Sequence, residues 1–242
     1  MRIKSVEVSG FMSFADRQII NFSEGITCIA GKNGTGKTVI IDAIKYVLGE
    51  NDINSFRVLR MQDLVFCGTQ NRKMAEYCEV SITFGDLPKT QFATEAGEVK
   101  ITRKTHCEND TDEFYINDKI CNGIRKDLRF YEEILMFYEE VNFDDFCFVF
   151  EQCMESNAMQ EGLNNLSKWS CIIFDETDNL FSVDDFQQLI QKLKNGGKQV
   201  IVTTHNKSVM KIADDLYVIV MKESGISRIE GATLNRKKSR SA

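Results

Sequence analysis

A glycine-rich stretch near the N-terminus carries the clearest chemical pattern in the sequence. It reads Gly31-Lys32-Asn33-Gly34-Thr35-Gly36-Lys37-Thr38 and satisfies G-x-x-x-x-G-K-[ST] between an apolar run and a helical pattern. Glycines let such a loop wrap a phosphate with backbone N–H groups pointing inward, and the helix N-terminus adds partial positive charge. We expect Lys32 through Thr38 to bind ATP, with Lys37 on the β- and γ-phosphates and Thr38 on Mg²⁺. A glycine-rich turn without phosphate is the alternative.

A second chemical pattern is a pair of acids after an apolar run. Cys171-Ile172-Ile173-Phe174 is followed directly by Asp175 and Glu176, which is the form of a Walker B element. Asp175 is expected to hold magnesium through water, and Glu176 to orient and deprotonate the attacking water. Acids at a strand end are common in isolation, so this pattern gains its meaning from the glycine-rich loop.

A histidine stands at the end of the next apolar strand pattern. Val202-Thr203-Thr204 leads directly into His205. A histidine at this place can hydrogen-bond the γ-phosphate and help to place the water, so His205 is a candidate catalytic residue. A purely structural histidine is the alternative.

These residues need strands and helices to position them, and the hydrophobic patterns predict both. Alternating runs predict a β-meander over residues 78–121, and helical patterns predict helices at 37–48 and at about 123–138. The last third alternates apolar strands with helices, which is typical of a parallel sheet. The predicted strands are 3–8, 17–22, 26–30, 79–84, 99–103, 113–116, 146–150, 171–174, 199–203 and 216–221, and the late helices are 183–193 and 207–213. The predicted fold class is an α/β P-loop domain with a mainly parallel central sheet and an antiparallel β lobe.

Composition sets the broad class of protein. The 242 residues are 43% hydrophobic and 27% charged, as in ordinary globular proteins, and no apolar run approaches a membrane span. The N-terminus alternates like a strand rather than a signal peptide, so we expect a cytoplasmic protein without membrane contact. The net charge of -6 means that any contact with DNA requires a local basic patch. The eight cysteines form no C-x-x-C pair, which favours reduced core thiols over a zinc site or disulfides.

The ordered series of motifs resembles the head of structural-maintenance-of-chromosomes (SMC) proteins of the bacterial and archaeal chromosome-partition type. The resemblance covers about residues 1–160 and 171–231. Besides the glycine-rich loop, it is carried by Phe14-Ala15-Asp16-Arg17, Asp42-Ala43-Ile44, Val47-Leu48-Gly49-Glu50, Met61-Gln62-Asp63-Leu64-Val65-Phe66-Cys67-Gly68, Ile101-Thr102-Arg103, Tyr115-Ile116-Asn117, Glu151-Gln152, Thr204-His205-Asn206-Lys207, Ala213-Asp214, Leu216-Tyr217 and Glu223-Ser224-Gly225-Ile226-Ser227.

The resemblance implies roles that the patterns alone do not. It implies an ABC-type head that binds ATP and Mg²⁺ and acts in chromosome organisation, in the cytoplasm at the nucleoid. Gln152 would be the Q-loop glutamine, which touches the magnesium and the attacking water. Arg57 would be an arginine that contacts nucleotide or DNA, with a surface arginine as the alternative. The implied partners are a second SMC-type head, a kleisin-like subunit and DNA.

The chain departs from the family in what it lacks. Residues 153–174 are all that separates Gln152 from Asp175, where the family has a long coiled-coil arm, a hinge and a serine-glycine-glycine signature. Leu166-Ser167-Lys168-Trp169 is the nearest trace of a signature and lacks both glycines, and Ser182 stands where the D-loop aspartate is expected. Because the signature of one head completes the nucleotide site of the other, a symmetric hydrolysing homodimer is not expected.

Several interpretations of this short form stay open. The chain is either a degenerate head that hydrolyses ATP weakly with a signature-bearing partner, or a non-catalytic nucleotide-dependent interaction module. An armless ABC-type DNA-repair ATPase and an internally truncated product are further alternatives. We expect a lobe with the P-loop and Q-loop at 1–160, a lobe with Walker B and the histidine at 161–235, and a basic tail at 236–242. Without the signature helix, apolar surface near residues 153–170 is expected to be exposed or covered by a partner.

Overall fold

The computed structural model describes residues 1–87, 94–108, 112–121, 147–151, 163–164, 166 and 169–232. Within them, two six-stranded sheets hold the molecule together. The predicted helix at 123–138, Gln152 and the basic tail lie outside the described residues.

The first sheet is the predicted antiparallel lobe. Its strand order is β2-β1-β4-β5-β6-β7, and every neighbouring pair is antiparallel. Alternation of buried and exposed side chains gives these strands one core-facing side. The strands are β1 (Arg2–Ser9), β2 (Gln18–Asn21), β4 (Tyr77–Gly85), β5 (Val99–His106), β6 (Asp112–Ile116) and β7 (Lys119–Ile120).

The second sheet carries the strand ends next to which the predicted site residues lie. Its order is β12-β11-β3-β10-β9-β8, with all neighbouring pairs parallel except the hairpin of β11 and β12. β3, β9 and β10 are buried along their whole length, because apolar groups cover both faces of this sheet. The strands are β3 (Ile26–Ala30), β8 (Cys147–Glu151), β9 (Cys171–Asp175), β10 (Gln199–Thr204), β11 (Asp215–Glu223) and β12 (Ile226–Ala232).

Helix α1 (Lys37–Val47) lies between the two sheets. Its apolar residues share one core cluster with side chains of both sheets, such as Val80 of the first and Ile201 of the second. Helix α3 (Val183–Asn195) covers the opposite face of the second sheet, where Phe186 packs on Phe174. The other described helices are α2 (Ile53–Phe56), α4 (Lys207–Met210) and the 3-10 helices Met61–Leu64 and Thr177–Leu180.

A buried glutamine ties the two sheets to each other. The Gln199 side chain accepts from the Ile3 N–H at 2.9 Å and donates to the Ile3 carbonyl at 2.8 Å and the Ser23 carbonyl at 3.0 Å. Since Gln199 begins β10 and Ile3 lies on β1, the P-loop sheet and the antiparallel lobe are fixed to one another at this point.

The fold class predicted from sequence is confirmed, with one local correction. The helix predicted at 207–213 ends at Met210, because Asp214 exchanges hydrogen bonds with Ile26 of β3 and draws the chain back to the sheet. Most of the stretch 153–170, where apolar surface is expected to be exposed or covered by a partner, lies outside the described residues, so this expectation stays a prediction; Leu163, Leu166 and Trp169 within it are half-buried. In the part of the chain that the structure describes, no helix has the length and apolarity to cross a membrane.

Candidate functional site

The glycine-rich loop connects β3 to α1 in the geometry of a phosphate cradle. Gly36 is the N-cap of α1 with φ 101°, and no side chain caps the amides of the first turn. Gly34 has φ 78° and faces open space, whereas a Cβ at Gly36 would collide with the Ser227 hydroxyl. Thr35 stays inside the loop, where its hydroxyl donates to the Lys32 carbonyl at 2.8 Å. Helix α1 therefore begins at a glycine without a side-chain cap, an arrangement in which first-turn backbone N–H groups can bind an anion.

Lys37 places its ammonium group at the centre of this loop. The side chain is 2% exposed, and Nζ lies 2.7 Å from Glu176 Oε1. It also donates to the carbonyls of Gly31 at 3.0 Å and Lys32 at 3.2 Å. All three ammonium hydrogens thus have acceptors, so an incoming phosphate must replace at least one of them.

Asp175 ends β9 beside the start of α1. Its Oδ1 accepts from the Thr203 hydroxyl at 2.5 Å and from the Thr38 hydroxyl at 3.4 Å. The parallel register sets Asp175 opposite Thr203 on the neighbouring strand β10. A carboxylate and a hydroxyl meeting at the carboxyl ends of parallel strands form an oxygen donor set of the kind that Mg²⁺ prefers.

Glu176 follows Asp175 in a left-handed backbone conformation, with φ 51° and ψ 29°. Left-handed backbone is uncommon for a residue with a side chain and is seen often at functional sites. The Glu176 N–H donates to Thr203 Oγ1 at 2.9 Å and is 3.2 Å from the Thr203 carbonyl. This turn directs the Glu176 carboxylate back to Lys37 instead of into solvent.

A cleft of about 390 Å³ opens over these groups. Its lining combines the cradle with side chains from distant parts of the chain: Met12, Ser13, Asn33, Gly34, Gly36, Lys37, Thr38, Val39, Glu176 and Met221. The Ser227 hydroxyl donates to the Thr35 carbonyl at 2.7 Å, and its oxygen lies 2.7 Å from Ser13 Oγ, which fixes one wall against the loop. Met12 adopts φ 48°. The loop, Glu176 and an apolar wall thus line a space suited to a nucleotide.

The structure brings four predicted residues into direct contact and leaves others apart. Lys37, Thr38, Asp175 and Glu176 meet in pairs, as described above. Asn33, Gly34 and Gly36 line the same cleft, and Lys32 is an exposed loop residue whose carbonyl faces Lys37.

Two further candidates lie outside the lining of the cleft. Arg57 is an exposed residue at the end of α2, with φ 57°. His205 is exposed just beyond β10. The roles of Arg57 and His205 stay predictions, as does that of Gln152.

The cysteines bear on the choice between core thiols and a metal site. Cys28, Cys78, Cys121 and Cys171 are buried and not disulfide-bonded. Burial raises the pKa of the Cys28 thiol to about 12 and that of the Cys78 thiol to about 11. Across the described ranges, no three histidine, cysteine or acidic side chains come together as a metal-binding group.

Comparisons with known proteins point in one direction. The family model described as RecF/RecN/SMC N terminal domain matches residues 2–137. The chromosome partition protein Smc of Lactiplantibacillus plantarum is 45% identical over 121 residues, which are 50% of this chain and 10% of that protein. The Bacillus subtilis protein of the same name is 38% identical over the same length and share. The chain spans about a tenth of the length of these relatives.

Solved structures extend the likeness to the whole fold. A SmcHead bound to the C-winged helix domain of ScpA matches with a TM-score of 0.78 at 19% identity, covering 97% of this chain and 99% of that one. The SMC head domain from Thermotoga maritima matches with a TM-score of 0.70 at 21% identity, covering 96% of this chain and 99% of that one. At these identities the matches show a common fold, that of an ABC-type P-loop head, and leave the chemistry to the residues of the cleft.

Proposed function

Because the chain belongs to the RecF/RecN/SMC N-terminal domain family, with residues 2–137 matched, we propose that it is an ATP-binding head that acts in chromosome organisation. The convergence of Lys37, Thr38, Asp175 and Glu176 on one uncapped helix N-terminus carries the proposal. A glycine-rich turn that binds no phosphate would not explain why two acids, a lysine and a hydroxyl lie together at this point.

The residues present fit ATP with magnesium, and each has a role that its position supports. The first-turn amides of α1 and Lys37 would hold the phosphates, and Thr38 with Asp175 would hold Mg²⁺. When bound, Mg²⁺ supplies neutralisation of phosphate charge. Phosphate is expected to displace the Glu176 carboxylate from Lys37. Glu176 would then be positioned to accept a proton from a water molecule near Lys37. We keep Gln152 as a candidate for contact with magnesium and the attacking water. Arg57 remains a candidate for contact with nucleotide or DNA, and His205 for contact with the γ-phosphate.

The short connection between the two halves of the head shapes the proposed activity. No signature occurs between Gln152 and Asp175, so the chain has a cradle but no signature loop to return to a second head. We propose that the chain alone binds ATP without useful turnover, and that hydrolysis requires a signature-bearing SMC-type head. The proposed lobes are 1–160 and 161–235, with a basic tail at 236–242.

The relatives suggest partners and a place of action. Smc relatives are named for chromosome partition, and a similar head was solved with the winged-helix domain of ScpA. We propose a kleisin-like partner with such a domain for this chain, contact with DNA in the assembled complex, and a cytoplasmic location at the nucleoid.

Thermal unfolding with and without magnesium-ATP tests the binding claim. A ligand that binds only the folded state raises the unfolding temperature, and its effect grows with concentration. We expect wild type and Lys192→Ala to respond equally, since Lys192 is an exposed lysine of α3. Lys37→Ala is expected to lose the response. An undiminished response in Lys37→Ala would refute the assignment of the cradle.

Phosphate release tests the dependence on a partner. We expect little release from the chain alone, and release after addition of a signature-bearing SMC head whose own Walker B glutamate has been replaced by glutamine. Glu176→Gln in this chain should abolish that release, whereas Glu230→Gln, which removes an exposed acid paired with Lys222, should not. Release by the chain alone that Glu176→Gln abolishes would contradict the proposed need for a partner.

A further inference from the structure

A buried threonine on β10 contacts both acids of the candidate site. Thr203 is fully buried, and its hydroxyl donates to Asp175 Oδ1 at 2.5 Å. The same hydroxyl oxygen accepts from the Glu176 N–H at 2.9 Å. One hydroxyl group therefore joins the side chain of the first acid to the backbone of the second.

The two contacts act on different features of the acids. Thr203 and Thr38 both approach Oδ1 of Asp175, so the strand and the P-loop helix fix the same carboxylate from two sides. The contact to the Glu176 N–H, together with the longer bond from this N–H to the Thr203 carbonyl, holds a residue at φ 51°, a conformation that surrounding structure must stabilise. From that conformation the Glu176 carboxylate reaches Lys37 at 2.7 Å.

We propose that Thr203 is a positioning residue for Asp175 and Glu176, setting the carboxylate that holds magnesium and the direction of the glutamate that faces the phosphates. The inference rests on the proposed function and deepens it. Thr203 acts through its contacts with the two acids.

The neighbouring residue provides a matched control. Thr204 is also fully buried, and its hydroxyl donates to Asp178 Oδ2 at 2.5 Å and accepts from the Asn206 N–H at 2.8 Å. It makes the same kinds of hydrogen bond as Thr203, but to groups other than Asp175 and Glu176. Side chains of successive strand residues point to opposite faces, which separates the two environments.

Substitution by valine removes each hydroxyl and keeps the β-branched shape. We expect Thr203→Val to raise the Mg²⁺ concentration for half-maximal ATP binding about tenfold, the effect of losing a hydrogen bond to a charged group. Thr203→Ser keeps the hydroxyl and should stay within about twofold of wild type. Thr204→Val should lower the unfolding temperature comparably to Thr203→Val but leave the Mg²⁺ midpoint within about twofold. An unchanged midpoint in Thr203→Val, or an equal shift in Thr204→Val, overturns the proposal.

Amide exchange of Glu176 in nucleotide-free protein separates this inference from the proposed function. The Glu176 amide should exchange about tenfold faster in Thr203→Val, and at the wild-type rate in Thr203→Ser and Thr204→Val. If the wild type bound no ATP while this pattern held, the proposed function would fail and the positioning role would stand. If exchange at Glu176 were unchanged in Thr203→Val, the positioning role would fail whatever the nucleotide data.

Discussion

The ion pair between Lys37 and Glu176 leads to a prediction about nucleotide affinity. All three acceptors around the Lys37 ammonium belong to the protein, and only Glu176 among them is charged. A phosphate entering the cradle therefore competes with this carboxylate for the lysine and is repelled by its charge. Replacing Glu176 with glutamine removes that charge and keeps the length of the side chain, so we expect tighter nucleotide binding.

The size of the effect follows from burial. Lys37 is 2% exposed and Glu176 is 27% exposed, so solvent screens the pair in part and its contribution lies well below that of a fully buried pair. A contribution of about 1 kcal/mol corresponds to roughly fivefold tighter binding in Glu176→Gln.

The assay must exclude slower hydrolysis as the cause of tighter binding. Calorimetric titration with ADP and with a non-hydrolysable ATP analogue, both with magnesium, meets this need. Glu230→Gln removes a distant surface charge and should bind both ligands as wild type does. Unchanged or weaker binding of both nucleotides by Glu176→Gln would refute the argument that the ion pair competes with phosphate.

Three further predictions concern stability and reactivity. The buried Arg103 guanidinium donates to the carbonyls of Tyr46 and Glu50 and to Asp112 at 2.6 Å. Arg103→Met should therefore lower the free energy of unfolding, measured in urea, by about 3 kcal/mol. A loss below about 1 kcal/mol would contradict this. Cys67 is exposed, whereas burial raises the pKa of Cys28 to about 12 and that of Cys78 to about 11. Peptide mapping after brief alkylation at about pH 8 should therefore show that Cys67 is modified and that Cys28 and Cys78 are protected. A hydrogen bond from Arg72, with the charges of Arg72 and Arg228, holds the pKa of Asp16 below its usual value against partial burial. Asp16→Asn should therefore destabilise the protein slightly at neutral pH, and the difference should vanish as the pH falls through that lowered pKa, which urea midpoints at several pH values would show.

Local patterns in the sequence account for the parts of the site that were predicted. The cradle from Gly31 to Thr38 is one continuous motif in the sequence. The end of β9 is also evident from the sequence, because its run of apolar residues stops at Asp175. The order of strands and helices in the last third likewise predicted the parallel sheet, since hydrophobic periodicity is a local signal.

Contacts between distant residues account for what the sequence did not reveal. Ser227 reaches Ser13 across most of the chain, and Met12 and Met221 meet at one cleft with no shared motif. Thr203 and Thr204 are adjacent and chemically identical, and only the strand register decides which one faces Asp175. The sequence also did not reveal that α4 ends at Met210, because a tertiary contact of Asp214 determines where this helix ends.

Calorimetric titration of the wild-type chain with magnesium-ATP, paired with Lys37→Ala, is the decisive experiment on ATP binding by the glycine-rich loop. We expect one nucleotide bound per wild-type chain, and loss of the binding heat in a Lys37→Ala protein that remains folded. Equal binding by both proteins would mean that the phosphates lie elsewhere. The absence of binding in the wild type would contradict the claim that this chain is an ATP-binding head.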